Sequence, residues 1–258
     1  MIIKTERDLE ALKEIGRICA LARDTMAKSA KAGITTLELD LIAKDIFEKH
    51  GAESAPMGEY DFPGYTCISV NDVVAHGIPS GYVLKEGDKV NIDVSASKNG
   101  YFADTGMTLN IPPVEEKLLK LQEVAKRAMY KSIEKAMPGT MSNNLGRAVY
   151  NEARLHGFNV IRNLTGHGVG KTLHDSPENI FNYNERRGAS LIREGHVLAI
   201  ETFITENDDY VEEYPDGWTL KTPHGNYVYQ FEHTVVVTKE GPVILTNGEE
   251  ADFFDPFI

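Results

Sequence analysis

The chain has 258 residues, of which 41% are apolar and 26% charged, and 27 Lys and Arg stand against 39 Asp and Glu, for a formal net charge of −12. This composition is ordinary for a globular protein and excludes a disordered or collagen-like chain, while the negative charge disfavours binding to nucleic acid or to an anionic membrane. Two cysteines are too few for a disulfide framework, and no apolar run approaches the roughly 20 residues that span a bilayer, so we expect a cytoplasmic protein.

Apolar residues recurring every three or four positions predict four amphipathic helices. In the first, Leu9, Leu12 and Ile15 begin the apolar stripe and Thr5 is placed to cap the N-terminus. The predicted helices cover residues 5–30, 36–50, 115–137 and 142–156. The first two precede one β-rich block and the last two precede another, so the two pairs occupy corresponding places in two halves of the chain.

The β-rich blocks contain two pairs of predicted strands. Residues 90–96 and 101–109 flank Asn99-Gly100, a strong hairpin signal, and residues 197–204 and 227–238 flank a turn-rich stretch. We find no linker and no low-complexity tract. The sequence therefore predicts one α+β domain over residues 1–258.

An internal repeat links the two halves. The segment Glu86–Asp93 resembles Glu194–Glu201, since each opens with Glu-Gly and ends with Ile followed by an acid. Each copy is preceded by a His-Gly and followed by a second acid in a predicted strand. These flanking residues are His76-Gly77 and His167-Gly168 before the copies, and Asp104 and Glu232 after them. The repeat predicts duplicated halves related by a pseudo-two-fold axis.

The acids of this repeat stand among apolar residues in their strands. A lone acid in such a place is most often a solvent-facing or edge residue, but four of them ordered as a repeat favour a shared role. Burying an unpaired carboxylate costs several kcal/mol or more, and Lys and Arg are scarce in these strands. The pattern therefore favours a metal ion as their partner.

In chain order, five residues resemble the ligand set of the methionine aminopeptidases. They are Asp93, Asp104, His167, Glu201 and Glu232. The likeness runs from Lys4 to about Gly248, and its most specific motifs are Asn91–Val94, Tyr101–Gly106, Leu164–Gly170 and Phe231–Thr234. The short segment between the two glutamates and the lack of an N-terminal zinc-finger extension resemble the bacterial form of the type I branch. The resemblance implies the pita-bread (creatinase/aminopeptidase) α+β fold, with an antiparallel sheet covered by helices.

The resemblance also implies an activity, the metal-dependent removal of the N-terminal methionine from nascent proteins and peptides with a small second residue. Asp104 and Glu232 would bridge two divalent ions, Asp93 would chelate one of them, and His167 and Glu201 would hold the other. A hydroxide bridging the ions would attack the first carbonyl, with Glu201 also shuttling the proton. This oxygen-rich set suits Mn²⁺, Fe²⁺ or Co²⁺ at least as well as Zn²⁺.

Five further residues are implied in contacts with the substrate. His76 would contact the amide on the leaving side, and His174 would hydrogen-bond the tetrahedral intermediate. Phe62, Cys67 and Trp218 would form the methionine pocket, although Cys67 and Trp218 could equally be core residues. The partner would be the N-terminal Met of nascent chains; contact with the ribosome stays open because no segment stands out for it, and we expect a monomer.

The sequence departs from the family pattern at four positions. They are Thr202 where Pro is frequent, Asp175 where Glu is usual, Leu173 where an aromatic is common, and Glu59 where some members have Tyr. None is a predicted ligand. We expect these departures to alter the shape and preference of the pocket rather than the reaction.

Three alternative functions fit the sequence less well. Gly166–Thr172 resembles a phosphate loop, but the glycine that a Walker A motif needs falls at Thr165. Prolidases and aminopeptidases P share the metal site but carry a further N-terminal domain, for which this chain is too short. A pita-bread protein acting only as a binding module would lack metal ligands, and all five are present.

Overall fold

The structure, a computed structural model, describes residues 1–248. Its helices are α1 Glu6–Ser29, α2 Thr36–His50, α3 Ala55–Tyr60, α4 Glu116–Ile133 and α5 Ser142–Leu155. The strands before α4 are β1 Glu53–Ser54, β2 Cys67–Val70, β3 Val73–Ala75, β4 Lys89–Lys98 and β5 Tyr101–Asn110. Those after α5 are β6 Asn159–Val160, β7 Thr165–Gly168, β8 Asp175–Phe181, β9 Val197–Thr205, β10 Glu212–Glu213, β11 Leu220–Lys221, β12 Val228–Val237 and β13 Pro242–Ile244. None of the helices within this range is long and apolar enough to cross a membrane.

The helix boundaries follow local signals in the sequence. Thr5 and Asp8 form a reciprocal capping box at the start of α1, and Thr35 and Glu38 do the same for α2. Helix α2 ends at His50 and is capped by Gly51, whose φ of 62° lies in the left-handed region that glycine adopts readily. The predicted bounds of α1, α2 and α5 agree with the structure to within one residue.

The prediction for α4 was wrong at its C-terminal end. The helix was expected to continue to Met137 but ends at Ile133. Beyond that point the backbone bonds tighten, with the amide of Ala136 donating to Ile133 and the amide of Met137 donating to Lys135. Pro138 follows, and the residue before a proline is disfavoured in the helical conformation.

Ten strands form one antiparallel sheet with the order β1-β4-β5-β12-β9-β7-β8, in which β2 also pairs with β4, β6 with β9 and β13 with β12. The four strands predicted from sequence are β4, β5, β9 and β12, which lie together at its centre. A separate small sheet has the order β10-β11-β3. Most of the short strands, and α3, were not predicted because two to six residues show no usable periodicity.

The two halves repeat one arrangement. Helix α1 packs on β4 and β5 and against α2, and helix α4 packs on β9 and β12 and against α5. Each half has its own core on the helical face, with Leu12 and Ile92 in one and Leu121 and Ile200 in the other. The halves meet where β5 pairs with β12. The duplicated architecture predicted from the repeat is confirmed.

The alternation of side chains along the central strands places the acids on the face of the sheet opposite the helices. In β4, Ile92 and Val94 are fully buried against the helices, so Asp93 between them points to the opposite face. Asp93 lies opposite Gly106, Gly106 lies opposite Glu232, and Glu232 lies opposite Glu201. Residues directly opposite each other share a face. Acids from all four central strands therefore project from the face that the helices leave uncovered.

Candidate metal and active site

The five predicted ligands come from five strands: Asp93 from β4, Asp104 from β5, His167 from β7, Glu201 from β9 and Glu232 from β12. The imidazole joins the acids through the sheet register, since His167 pairs with Ala199 two residues before Glu201. Asp104, His167 and Glu232 are buried, with 6%, 5% and 1% of their surface exposed.

The ligand atoms fall into two groups that share Glu232. One contains Asp104, His167 and Glu232, the other contains Asp93, Glu201 and Glu232, and within each group one ligand atom per residue lies within 4.8 Å of the others. The Nε2 atom of His167 is 3.8 Å from Oδ2 of Asp104. Glu201 thus stands with Asp93, whereas the resemblance assigned it to the ion held by His167. The ligand assignment itself stays a prediction.

Burial controls the charge of this cluster. Desolvation raises the pKa of Asp93 to about 7. It also raises the pKa of Asp104, Glu201 and Glu232 well above the usual range, and the neighbouring carboxylates add to the rise in each. Burial lowers the pKa of His167 to about 3, so this imidazole is neutral at pH 7 and keeps a lone pair for a cation.

The donor chemistry fits divalent cations. Oδ1 of Asp104 and Oε1 of Glu232 are buried and have no hydrogen-bond partner among the described residues. An unsatisfied carboxylate oxygen is costly to bury, and no Lys or Arg of residues 1–248 lines the cavity above it. Four carboxylates and one neutral imidazole are a set that first-row divalent metals accept.

Gln230 orients two of the carboxylates and was not found from the sequence. Its amide nitrogen lies 3.2 Å from Oε1 of Glu201 and 3.2 Å from Oε2 of Glu232, and donates to both. Its Oε1 accepts from Nδ2 of Asn91 at 2.7 Å. A Cβ atom at Gly106 would come within 2.3 Å of this amide, so a side chain there would displace it. The available signal was its position two residues before Glu232, on the same face of β12.

A cavity of about 340 Å³ opens over the cluster. Among its lining residues are all five predicted substrate contacts: Phe62, Cys67, His76, His174 and Trp218. The rings of Phe62 and Trp218 meet edge to face with their centroids 5.2 Å apart. Burial raises the pKa of the Cys67 thiol well above its usual value, so it stays protonated and acts as a small apolar group.

His76 follows β3 in an unusual backbone conformation, with a φ of 53°. The next residue anchors the turn: the Gly77 amide donates to Oγ of Ser69, and its carbonyl accepts from the Ile68 amide. A Cβ atom at position 77 would lie 2.3 Å from the Ile68 carbonyl oxygen, so only glycine fits. The imidazole is exposed to the cavity, and the desolvation that remains there, with the nearby His174, lowers its pKa.

The residues that depart from the family pattern have different positions relative to the cavity. Leu173 lines the cavity, where an aromatic residue would narrow it. The charge of Glu59 acts on His174, although burial still lowers the pKa of that imidazole. The residue after Glu59, Tyr60, lines the cavity. Thr202 is buried and donates to the Phe231 carbonyl oxygen at 3.4 Å.

Known proteins resemble this chain over nearly its whole length. The family described as metallopeptidase family M24 matches residues 10–239. A methionine aminopeptidase of Staphylococcus epidermidis is 51% identical over 251 residues, covering 97% of this chain and 100% of that protein. A Bacillus subtilis protein called methionine aminopeptidase 2 is 51% identical over 247 residues, covering 95% and 99%. The crystal structure of a methionine aminopeptidase from Thermotoga maritima superposes with a TM-score of 0.91 at 35% identity, covering 95% and 99%.

Proposed function

The chain belongs to metallopeptidase family M24 and has its pita-bread fold, and on that basis we propose that it removes the N-terminal methionine from nascent proteins and peptides whose second residue is small. The observation that carries this proposal is the buried acid and imidazole cluster beneath a cavity with aromatic walls. Relatives that match nearly the full chain and carry the name methionine aminopeptidase support it.

Asp93, Asp104, His167, Glu201 and Glu232 would hold two divalent ions, drawn from Mn²⁺, Fe²⁺, Co²⁺ and Zn²⁺. When bound, such ions polarise a carbonyl group and make water nucleophilic at neutral pH. The free α-amine of a substrate would be a further ligand for an ion held by these residues. A peptide with a blocked N-terminus has no free amine lone pair to offer and should be refused.

Glu201 is the proton carrier in this proposal. Its carboxylate borders the cavity, and burial together with the charge of Asp93 raises its pKa. A carboxyl group with a raised pKa can accept the proton of the attacking water and give it to the leaving amine. The amide of Gln230 donates to one oxygen of Glu201 and so fixes the plane of the carboxylate during this transfer.

The two cavity histidines act as neutral hydrogen-bonding groups. Desolvation lowers the pKa of both His76 and His174, so each offers one N–H donor at neutral pH. His174 would donate to the carbonyl oxygen as negative charge develops on it. His76, held by the anchored turn at Gly77, would contact the amide on the leaving side.

The side chain of the substrate methionine would lie against Phe62, Trp218 and Cys67. A thioether makes favourable contacts with aromatic ring edges, and its flexible chain fits an irregular apolar wall. A bulky second residue, in contrast, would crowd His76 and the cavity mouth. The pocket would therefore select for both the first and the second residue of the substrate.

A peptide series tests the function and its selectivity. We expect the metal-loaded enzyme to release methionine from Met-Gly-Met-Met and Met-Ala peptides with a kcat/KM roughly 100-fold above that for Met-Lys and Met-Glu peptides, a discrimination of about 2.7 kcal/mol. Chelation should abolish release, and single additions of Mn²⁺, Fe²⁺, Co²⁺ or Zn²⁺ should restore it. Acetylated Met-Gly-Met-Met is the negative control. Equal rates across the series would refute the pocket assignment, and no release under any metal would refute the function.

A further inference from the structure

Tyr60 makes a contact at the site that the reaction as described does not use. It is the last residue of α3, and its hydroxyl oxygen lies 2.5 Å from Nδ1 of His174. The two rings are tilted by 57° with centroids 5.6 Å apart. Tyr60 is 43% exposed at the edge of the cavity. The contact joins residues 114 positions apart in the chain.

Hydrogen bonds hold both ends of the short helix α3, which carries Tyr60. Ser54 caps α3 by accepting from the Met57 amide, while its hydroxyl donates to the Tyr65 carbonyl oxygen at 2.8 Å. At the other end, the Asp61 amide donates to the carbonyl of Met57. The first residues of α3 are buried, and the helix packs on β4, the strand that carries Asp93. A side chain on this helix therefore has a defined position relative to the cluster.

His174 contacts both Tyr60 and the cluster. Its ring centroid is 4.2 Å from that of His167. Because Nδ1 faces the tyrosine hydroxyl, Nε2 is the nitrogen left for a ligand in the cavity. A hydrogen bond at one ring nitrogen determines what the other nitrogen can do. If Nδ1 accepts from the phenol, Nε2 carries the proton and is a donor.

We propose that Tyr60 is a positioning residue, whose hydroxyl donates to Nδ1 of His174 and thereby holds the ring and keeps the proton on Nε2. The proposal rests on the function given above, in which His174 donates to the substrate carbonyl. It is supported by the distance of 2.5 Å between the Tyr60 hydroxyl oxygen and Nδ1 of His174, and by desolvation, which raises the pKa of the Tyr60 hydroxyl. The phenol then stays protonated and can donate this hydrogen bond.

Tyr60→Phe tests the role directly, because it removes one oxygen and keeps the ring. We expect kcat for Met-Gly-Met-Met to fall about tenfold, the effect of losing one hydrogen bond, with KM changed by less than about twofold. Tyr214→Phe is the matched control: it is an exposed tyrosine outside the cavity lining and should leave both constants unchanged. Unchanged kcat in Tyr60→Phe, or a rise in KM alone, would overturn the proposal.

A double-mutant cycle separates action through His174 from a direct contact with substrate. If Tyr60 acts through the imidazole, Tyr60→Phe should have no further effect in a His174→Ala background. An undiminished tenfold loss in that background would contradict the proposal.

A spectroscopic measurement keeps the test valid if methionine release itself fails. In the ¹⁵N spectrum of the Zn²⁺-loaded protein, His174 should show an unprotonated Nδ1 and a protonated Nε2, and Tyr60→Phe should produce a mixture of tautomers. An identical spectrum for both proteins would reject the hydrogen bond, whereas the expected change without methionine release would reject the proposed function alone.

Discussion

Replacing Asp104 with Asn should lower kcat/KM for methionine release from Met-Gly-Met-Met by at least about 1000-fold, a loss of about 4 kcal/mol of transition-state stabilisation. The amide is nearly the same size as the carboxylate but has no charge and only one oxygen. Asp104 stands within one ligand group with His167 and Glu232, and its Oδ1 is one of the two orphaned oxygens. Loss of this oxygen should remove the ability of the site to hold its full metal complement.

Two controls make this result specific. Asp45→Asn changes an exposed acid on α2 and should leave activity unchanged. The folding of Asp104→Asn is checked by thermal unfolding without metal, where the variant should be at least as stable as the unaltered protein because a buried carboxylate with no cation beside it is unfavourable. Near-normal turnover by a folded Asp104→Asn protein would show that the chain is not the metalloenzyme proposed, and would favour a binding role for the cavity.

Without metal, the Asp93 carboxyl group should make the protein less stable as pH rises from about 4 to above 7. Burial raises the pKa of Asp93 to about 7 in the folded state, above the ordinary value of 3.8. Between these values the folded state binds more protons than the unfolded state, so the free energy of unfolding falls with increasing pH. Three pKa units correspond to roughly 4 kcal/mol for this group. Asp104, Glu201 and Glu232 are shifted in the same direction and add to the effect.

The measurement is thermal unfolding of chelated protein at pH 5, 6 and 7.5, with and without added Zn²⁺ or Mn²⁺. Metal should restore the stability lost at pH 7.5, because a bound cation offsets the carboxylate charges and binds only the folded chain. Asp93→Asn isolates one group: its stability relative to the unaltered protein should increase with pH in the absence of metal. A difference that stays constant or decreases over this range would mean that Asp93 is not buried as a carboxylate within the cluster.

The central strands and their acids could be predicted because the alternation of side chains along a strand agrees with the internal repeat between the two halves. Alternation along β4 separates Ile92 and Val94 from Asp93, and the repeat of that pattern at Glu201 indicated a second copy of the same unit. The centre of the fold follows from these local patterns. The approach of His167 to the acids, in contrast, depends on the pairing of β7 with β9; the repeat indicated that the His-Gly and the acids converge, and only the resemblance made His167 a ligand.

Contacts between distant segments could not be predicted in the same way. Gln230 reaches Asn91 across 139 positions of the chain, and no local pattern distinguishes a glutamine that orients carboxylates from one that faces solvent. Tyr60 ends a helix of six residues, too short for a periodic signal, and its partner follows β7. The grouping of Glu201 with Asp93 likewise depends on side-chain positions across two strands that do not pair directly.

Anomalous diffraction from crystals of the Mn²⁺-loaded protein tests the central claim most directly, since it locates the ions without reference to activity. We predict two anomalous peaks between the central strands, each within roughly 2.0–2.3 Å of carboxylate oxygens or of the imidazole nitrogen, with Asp104 and Glu232 reaching both ions and Asp93, His167 and Glu201 completing the set. A metal-loaded crystal without anomalous density between these five side chains, or with its ions bound elsewhere, would contradict the account.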